Sequence, residues 1–122
     1  MREKVKDKGR LEHILQTCND LLASKDKYTF DAVKDNPIIF YGFVKLSEII
    51  GKASYMLTKE FRAEHTEIPW EQMIGLRHVL VHGYYTIKPK QLWNIIEKDI
   101  PILLPQIVSV SAFIPCIIQK KQ

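Results

Sequence analysis

Apolar side chains recur along most of the chain at steps of three and four residues, the spacing that places them on one face of an α-helix. The first such stripe runs from about Leu11 to Ala23, and polar residues separate its apolar positions. We therefore predict an amphipathic helix over this range, with the basic N-terminal residues on its first turns or just before them. Their charges suit a solvated arm better than an RNA clamp. The stripe consists of Leu11, Ile14, Leu15, Cys18, Leu21 and Leu22.

The second stripe belongs to the longest predicted helix. It follows a polar stretch, residues 24–35, which we interpret as a loop with at most one helical turn. Asn36 and Pro37 then form a helix start, with Asn at the N-cap and Pro at the first helical position. Helical spacing continues from Ile38 to about Glu64. A helix of that length would extend about 40 Å at 1.5 Å per residue.

Two glycines, Gly42 and Gly51, lie inside this predicted helix. A glycine in a helix interior costs up to about 1 kcal/mol relative to alanine. Close approach of a neighbouring helix could justify that cost, because glycine has no side chain to hold the neighbour away. We therefore expect close helix–helix contacts at these glycines.

A third helix carries the most polar chemistry in the chain. Residues 66–69 break the preceding helix, and a new one is predicted to begin at Pro69 or Trp70. It runs to about His82 and ends at Gly83, a residue that can take the left-handed C-cap conformation.

The last apolar segment begins near Lys90 and is interrupted by Pro101 and Pro105. Because a proline inside a helix removes a hydrogen bond, we expect one kinked helix or two consecutive ones. The pattern as a whole predicts an all-α, up-and-down bundle of four or five helices with short connections. The length of 122 residues suits a single domain, residues 1–122.

Composition and charge change this picture only slightly. Lys plus Arg exceed Asp plus Glu by 18 to 14, and the formal charge of +4 weakly favours anionic partners such as nucleic acid. Cys18 and Cys116 show neither metal-ligand nor disulfide spacing and suit a reducing cytosol. The polar N-terminus lacks the apolar core of a signal peptide, and no apolar run approaches the length of a membrane span. We therefore expect a cytoplasmic protein without a membrane partner.

Residues 75–85 gather one arginine, two histidines and two tyrosines around a short apolar run. In one interpretation Arg77 and His82 act on a phosphodiester, with His82 moving protons and Arg77 stabilising charge. In a second, His78 and His82 form an i,i+4 metal pair, but a third ligand is not evident. In a third, Arg77 pairs with a carboxylate and His82 stabilises the helix C-terminus, where a cation is favoured.

Helix geometry limits the first interpretation. Arg77 and His82 are five residues apart and therefore differ by about 140° around an ideal helix. His78 and His82 are four apart and share a face. Arg77 and His82 would share a face only if the helix frays before Gly83.

Arg77, His82 and Tyr84 match the R-x4-H-x-Y motif of the HepT-like group in the HEPN superfamily, which this chain resembles. The resemblance covers about Asn36 to Ile107 in order. Its flanking parts are Ile68-Pro69-Trp70, Ile74-Gly75-Leu76, Trp93, Asp99-Ile100-Pro101 and, for the group's I-G-E-A stretch, Glu48 to Ala53.

The resemblance implies a HEPN-like helical-bundle ribonuclease that works as a homodimer, with two motif copies facing each other in a cleft. Such proteins are toxins of toxin–antitoxin pairs that cut RNA without a metal or other cofactor. By this resemblance Arg77 and His82 would be catalytic. The partner would be a nucleotidyltransferase antitoxin that transfers AMP to Tyr84, although the adjacent Tyr85 competes as the modification site.

Two positions depart from the family pattern. His78 stands where Asn or Asp is usual, and it could either hydrogen-bond a phosphate or mark a weakened enzyme. Lys52 stands where Glu is usual in the I-G-E-A stretch, and it could either contact RNA or be a solvated surface lysine. With Glu48 of the same stretch, these residues are candidates for supporting roles.

Two other functions compete with the ribonuclease hypothesis. The chain could be a catalytically weak or inactive HEPN dimer that serves as a partner- or nucleotide-binding subunit of a nucleotidyltransferase. It could also be a structural helical protein with an accidental motif. Cleavage of RNA by the purified protein would separate an enzyme from both.

Overall fold

The computed structural model describes residues 2–83 and 86–111, without the side chains of residues 2–5. Within these ranges the structure is helical and contains no strand, which confirms the all-α prediction. The helices are α1 Arg2–Lys27, α2 Phe30–Asp35, α3 Pro37–Met56, α4 Lys59–Glu64, α5 Trp70–Gly83, α6 Pro89–Asn94 and α7 Ile100–Ser111; a π-helical turn, Ile95–Asp99, joins the last two. No helix in the described ranges has the length and apolarity to span a membrane.

Helix α1 is longer than its apolar stripe and carries the basic N-terminal residues in its first turns, one of the two placements expected for them. Asp7 is only 2% exposed. Its carboxylate accepts hydrogen bonds from the Thr58 backbone N–H at 2.9 Å and from the Thr58 hydroxyl at 2.7 Å. Lys8 is also buried and forms an ion pair with Glu12 one turn later, at 3.3 Å. The contacts of Asp7 with Thr58 hold the first turns of α1 against the bundle, and the burial of Lys8 departs from the expectation of solvated charges.

Helix α2 lies in the region predicted as a loop, and it is slightly longer than the single turn allowed there. The Thr29 hydroxyl caps it by accepting a hydrogen bond from the Ala32 backbone N–H at 3.1 Å.

The predicted start of α3 is confirmed, because the side-chain oxygen of Asn36 accepts from the Ile38 N–H at 3.0 Å and Pro37 is the first helical residue.

The long helix predicted to reach Glu64 ends at Met56 instead. Leu57 and Thr58 have extended backbone angles, and the Thr58 hydroxyl accepts a hydrogen bond from the Phe61 N–H at 3.1 Å to begin α4. The same hydroxyl donates to Asp7 of α1, so a residue distant in sequence stabilises the break. Helical periodicity continues through this point because Leu57 and Phe61 are both buried.

Helix α3 is the centre of the bundle and packs against both α1 and α5. At Gly51 the backbones of α3 and α5 come so close that an added Cβ would lie 2.7 Å from the Met73 carbonyl oxygen and overlap Arg77. The predicted close approach is therefore confirmed at Gly51. At Gly42 it was wrong, since a Cβ there would meet no atom within 4 Å.

These two glycines predict opposite effects on stability. Gly51→Ala should lower the free energy of unfolding by about 1–3 kcal/mol, the usual cost of overpacking. Gly42→Ala, in the same helix, should raise it by up to about 1 kcal/mol through helix propensity. Urea unfolding followed by circular dichroism measures both. Equal effects at the two positions would contradict the assigned helix crossing.

Helix α5 has the bounds that the sequence predicts, but its ends are stabilised differently. At its start, the indole N–H of Trp70 donates to the His65 carbonyl oxygen at 2.8 Å. At its end, Gly83 is not in the left-handed conformation, since no described glycine has a positive φ. The Gly83 carbonyl instead accepts hydrogen bonds from the backbone N–H and the hydroxyl of Thr86, at 2.8 and 2.6 Å.

The C-terminal region follows the prediction of two consecutive helices. The π-helical turn separates α6 from α7, and the Ile100 N–H donates to the Ile95 carbonyl. The π-helical turn contains one residue more than an α-helical turn and ends shortly before Pro101. Pro101 has no N–H to donate, so it cannot continue the regular hydrogen bonding of the helix. Pro105 is accommodated inside α7.

Candidate active site

Helix α5 presents two different surfaces. Trp70, Met73 and Leu80 are buried and attach the helix mainly to α3. The opposite surface, which we call the outer face of α5, is exposed along its whole length. It contains Gly75, His78, Val79 and His82, whose spacing places them on one side of the helix.

Arg77 lies at the crossing of α3 and α5, beside Gly51. Its guanidinium carbon is 5.9 Å from the centre of the Tyr55 ring, a cation–π contact between the two helices. Its Nε is buried and has no hydrogen-bond partner in the described structure. An unmade hydrogen bond of a buried donor costs about 1–3 kcal/mol. The side chain is thus held by packing, while part of its hydrogen-bonding capacity is unused.

The hypothesis that Arg77 pairs with a carboxylate finds no support in the described ranges. None of the ion pairs between described residues includes Arg77. Glu48, the acidic residue of the family stretch on α3, instead lies 3.4 Å from the Lys45 ammonium. The positive charge of Arg77 is therefore available to an anion from outside the chain.

His78 and His82 lie side by side on the outer face of α5, with their ring centres 4.7 Å apart and their planes at 53°. Both are exposed, and His82 lies in the last turn, where the helix dipole favours a cation. No group of three or more metal-binding side chains occurs among the residues that the structure describes. The pair therefore has no third described ligand for a zinc site of the usual kind.

Arg77 and His82 lie on different sides of α5 within one chain. Arg77 points towards α3, whereas His82 lies on the exposed outer face, in agreement with the angle of about 140° between them. A cavity of about 350 Å³ between α3, α5 and α7 includes neither residue. His82 is exposed on the surface of the chain, whereas Arg77 is half-buried at the helix crossing.

The other predicted site residues are placed only in part. Lys52 is exposed on α3 directly after Gly51, so it lies beside the helix crossing that holds Arg77. Tyr84 and Tyr85, the two candidates for modification, lie outside the described residues.

Tyr55 is a further candidate site residue, which the sequence pattern did not indicate. It lies in the last turn of α3, is 56% exposed and contacts Arg77 across the helix crossing. The available signal was weak: Tyr55 follows Lys52 by three residues and so shares its face of α3. The contact with Arg77 joins two helices and is invisible to periodicity.

The described cysteine has no role as a nucleophile. Cys18 is fully buried in α1. Burial raises the pKa of its thiol to about 12, so the thiol stays protonated at neutral pH. The chemistry of this chain must therefore come from other groups than the Cys18 thiolate.

Comparison with known proteins identifies the family of this chain. Residues 11–110 match the family model described as "Ribonuclease HepT-like". The chain is 38% identical over 97 residues to "Putative RNase TTE0752" of Caldanaerobacter subterraneus subsp. tengcongensis, covering 80% of this chain and 87% of that protein. It is 34% identical over 94 residues to "Putative RNase MJ1380" of Methanocaldococcus jannaschii, covering 77% and 86% of the two chains.

A third relative carries the family name itself. The "Probable ribonuclease HepT" of Thermococcus cleftensis is 36% identical over 63 residues, which cover 52% of this chain and 57% of that protein. No solved structure matches the chain. The family match spans most of the chain, including α5 with Arg77 and His82. The protein therefore belongs to the HepT-like ribonuclease family.

Proposed function

We propose that this protein is a metal-independent endoribonuclease toxin that acts in the cytoplasm as a homodimer. The proposal rests on the family of the chain and on the incomplete hydrogen bonding of Arg77. Its Cβ packs against Gly51 and its guanidinium lies over the Tyr55 ring, yet its buried Nε lacks a partner. An RNA phosphate that contacts the remaining guanidinium nitrogens would supply the missing negative charge.

In the proposed reaction the RNA 2′-OH attacks the adjacent phosphorus. A 2′-O–P bond forms and the P–O5′ bond breaks, leaving a 2′,3′-cyclic phosphate and a 5′-hydroxyl. His82 moves a proton as general acid or base, and Arg77 stabilises the extra negative charge on the phosphorus oxygens. A dimer would bring two copies of His82 to the cleft, so that one copy could take a proton and the other could give one.

The proposed dimer joins the outer faces of α5 from two chains. This face is exposed in the single chain and combines Gly75, which leaves room for a partner helix, with Val79, which is 46% exposed. Pairing of these faces would bury Val79 and bring the two His82 side chains towards each other. Arg77 points towards α3, so we expect it to reach the RNA phosphate from the α3 side of this cleft rather than across the paired faces.

We further propose that a nucleotidyltransferase antitoxin silences the enzyme by transferring AMP to Tyr84. Tyr84 follows His82 by two residues, so a nucleotide on its hydroxyl would add bulk and negative charge close to the site. The added charge would repel an RNA phosphate.

Incubation with ATP and a small nucleotidyltransferase encoded beside this protein tests the regulatory part. Mass spectrometry should show the addition of one AMP per chain, lost in Tyr84→Phe and retained in Tyr85→Phe, with a parallel loss of RNA cleavage in the modified protein. Modification that persists in Tyr84→Phe would contradict the assignment of the tyrosine. Direct assay of RNA cleavage in the presence of a chelator tests the enzymatic part.

A further inference from the structure

Tyr55 offers an aromatic surface directly beside the positive charge of Arg77. One part of the ring faces the Arg77 guanidinium, whose carbon is 5.9 Å from the ring centre. More than half of the Tyr55 side chain nevertheless remains open to solvent, at 56% exposure. A large aromatic side chain left open in this way can accept a second planar group.

The surroundings of Tyr55 favour RNA as the source of that group. Lys52 is exposed three residues earlier, and this spacing places it on the same side of α3, so this part of the surface carries two cations, Lys52 and Arg77. Proteins that bind single-stranded nucleic acid combine cations along the backbone path with aromatic rings on which bases stack. A base next to a phosphate bound by Arg77 would lie close to this ring.

We propose that Tyr55 forms a nucleobase-binding subsite, on which an unpaired base of the RNA stacks next to the scissile phosphate. The inference rests on the proposed ribonuclease function and adds a substrate class to it, namely single-stranded or looped RNA. A base inside a duplex is covered on both faces by its neighbours and cannot stack on a side chain without leaving the helix. Stacking tolerates all four bases, so the subsite selects for unpaired structure more than for sequence.

A structural role for Tyr55, in which it only positions Arg77, predicts different kinetics. Loss of the ring would then impair cleavage of every substrate to the same extent. Loss of a base-binding subsite would impair only substrates that carry a base at the matching position. The two roles can be separated by a double-mutant cycle in which the protein is varied at Tyr55 and the substrate is varied at one base.

The test measures cleavage by wild type, Tyr55→Phe and Tyr55→Leu on a short single-stranded RNA with one cleavage site. A second set of substrates replaces each nucleotide flanking the site by an abasic one. Tyr55→Leu should raise KM for the intact RNA by about 5- to 150-fold, the usual worth of one base–aromatic stack. Tyr55→Phe, which keeps the ring, should stay within about twofold of wild type. Tyr41→Leu removes another exposed tyrosine of α3 and serves as the control.

The abasic substrates decide the outcome. At one flanking position, removal of the base should weaken wild type more than it weakens Tyr55→Leu, so that the loss caused by Tyr55→Leu is clearly smaller on abasic RNA than on intact RNA. An equal loss with Tyr55→Leu on intact and abasic RNA, or no loss at all, would overturn the subsite. Absence of cleavage by wild type would overturn the proposed function, and the subsite with it. A failure of the subsite alone would instead leave wild-type cleavage intact.

Discussion

Replacing His82 or Arg77 by alanine is expected to lower the rate of RNA cleavage by at least about 100-fold. General acid–base catalysis by one side chain contributes roughly 10²–10⁴-fold, and a group that stabilises transition-state charge contributes about 10²–10³-fold. Neither substitution should unfold the protein, because His82 is exposed and Arg77 Nε makes no hydrogen bond within the described structure. Initial rates on a labelled RNA, with size-exclusion chromatography to check the dimer, measure both effects.

His13→Ala is the matched control, since it removes an exposed histidine from α1, away from the helix crossing. It should cleave at the wild-type rate. Full activity in both His82→Ala and Arg77→Ala would contradict the assigned roles. A wild-type protein that fails to cleave RNA, yet binds a nucleotidyltransferase as strongly as His82→Ala does, would favour the alternative of an inactive binding subunit.

The second large effect is expected at Val79. Val79→Asp should convert the dimer into monomers and reduce cleavage to the level of the His82 variant. Two carboxylates would face each other across the symmetric interface. Burying these unpaired charges costs more free energy than the apolar contact of Val79 contributes to dimer stability. Light scattering during size-exclusion chromatography gives the molecular mass, and the same RNA assay gives the activity.

Val108→Asp provides the comparison, because Val108 is a similarly exposed valine, at 54%, but lies on α7. It should remain dimeric and active. A Val79→Asp protein that stays dimeric would show that the outer face of α5 is not the interface. A monomeric Val79→Asp protein with full activity would show that one chain alone forms the catalytic site.

Much of the frame around the site can be predicted from local sequence. The bounds of α5 follow from Pro69 before the helix and Gly83 at its end, and the cap at Asn36 follows from its neighbour Pro37. The angle between Arg77 and His82 follows from helix geometry alone. These features depend on neighbouring residues, and local patterns report them well.

Features that depend on distant residues were missed. The end of α3 depends on Thr58, which binds Asp7 from another helix, while the apolar spacing continues without interruption. The aromatic neighbour of Arg77 comes from Tyr55, which is 22 positions earlier in the sequence (77 minus 55). The sequence predicts close packing at Gly51, but it does not tell which helix packs there. The structure shows that this helix is α5, which carries Arg77.

The most direct measurement of the central claim is cleavage of single-stranded RNA by the purified dimer in excess chelator. We expect cleavage at the same rate with and without chelator, products that end in a 2′,3′-cyclic phosphate, and no cleavage when the nucleotide before the scissile phosphate lacks its 2′-hydroxyl. Loss of activity on addition of the chelator, or continued cleavage of the 2′-deoxy substrate, would contradict a metal-free reaction in which the 2′-hydroxyl attacks and Arg77 and His82 assist it.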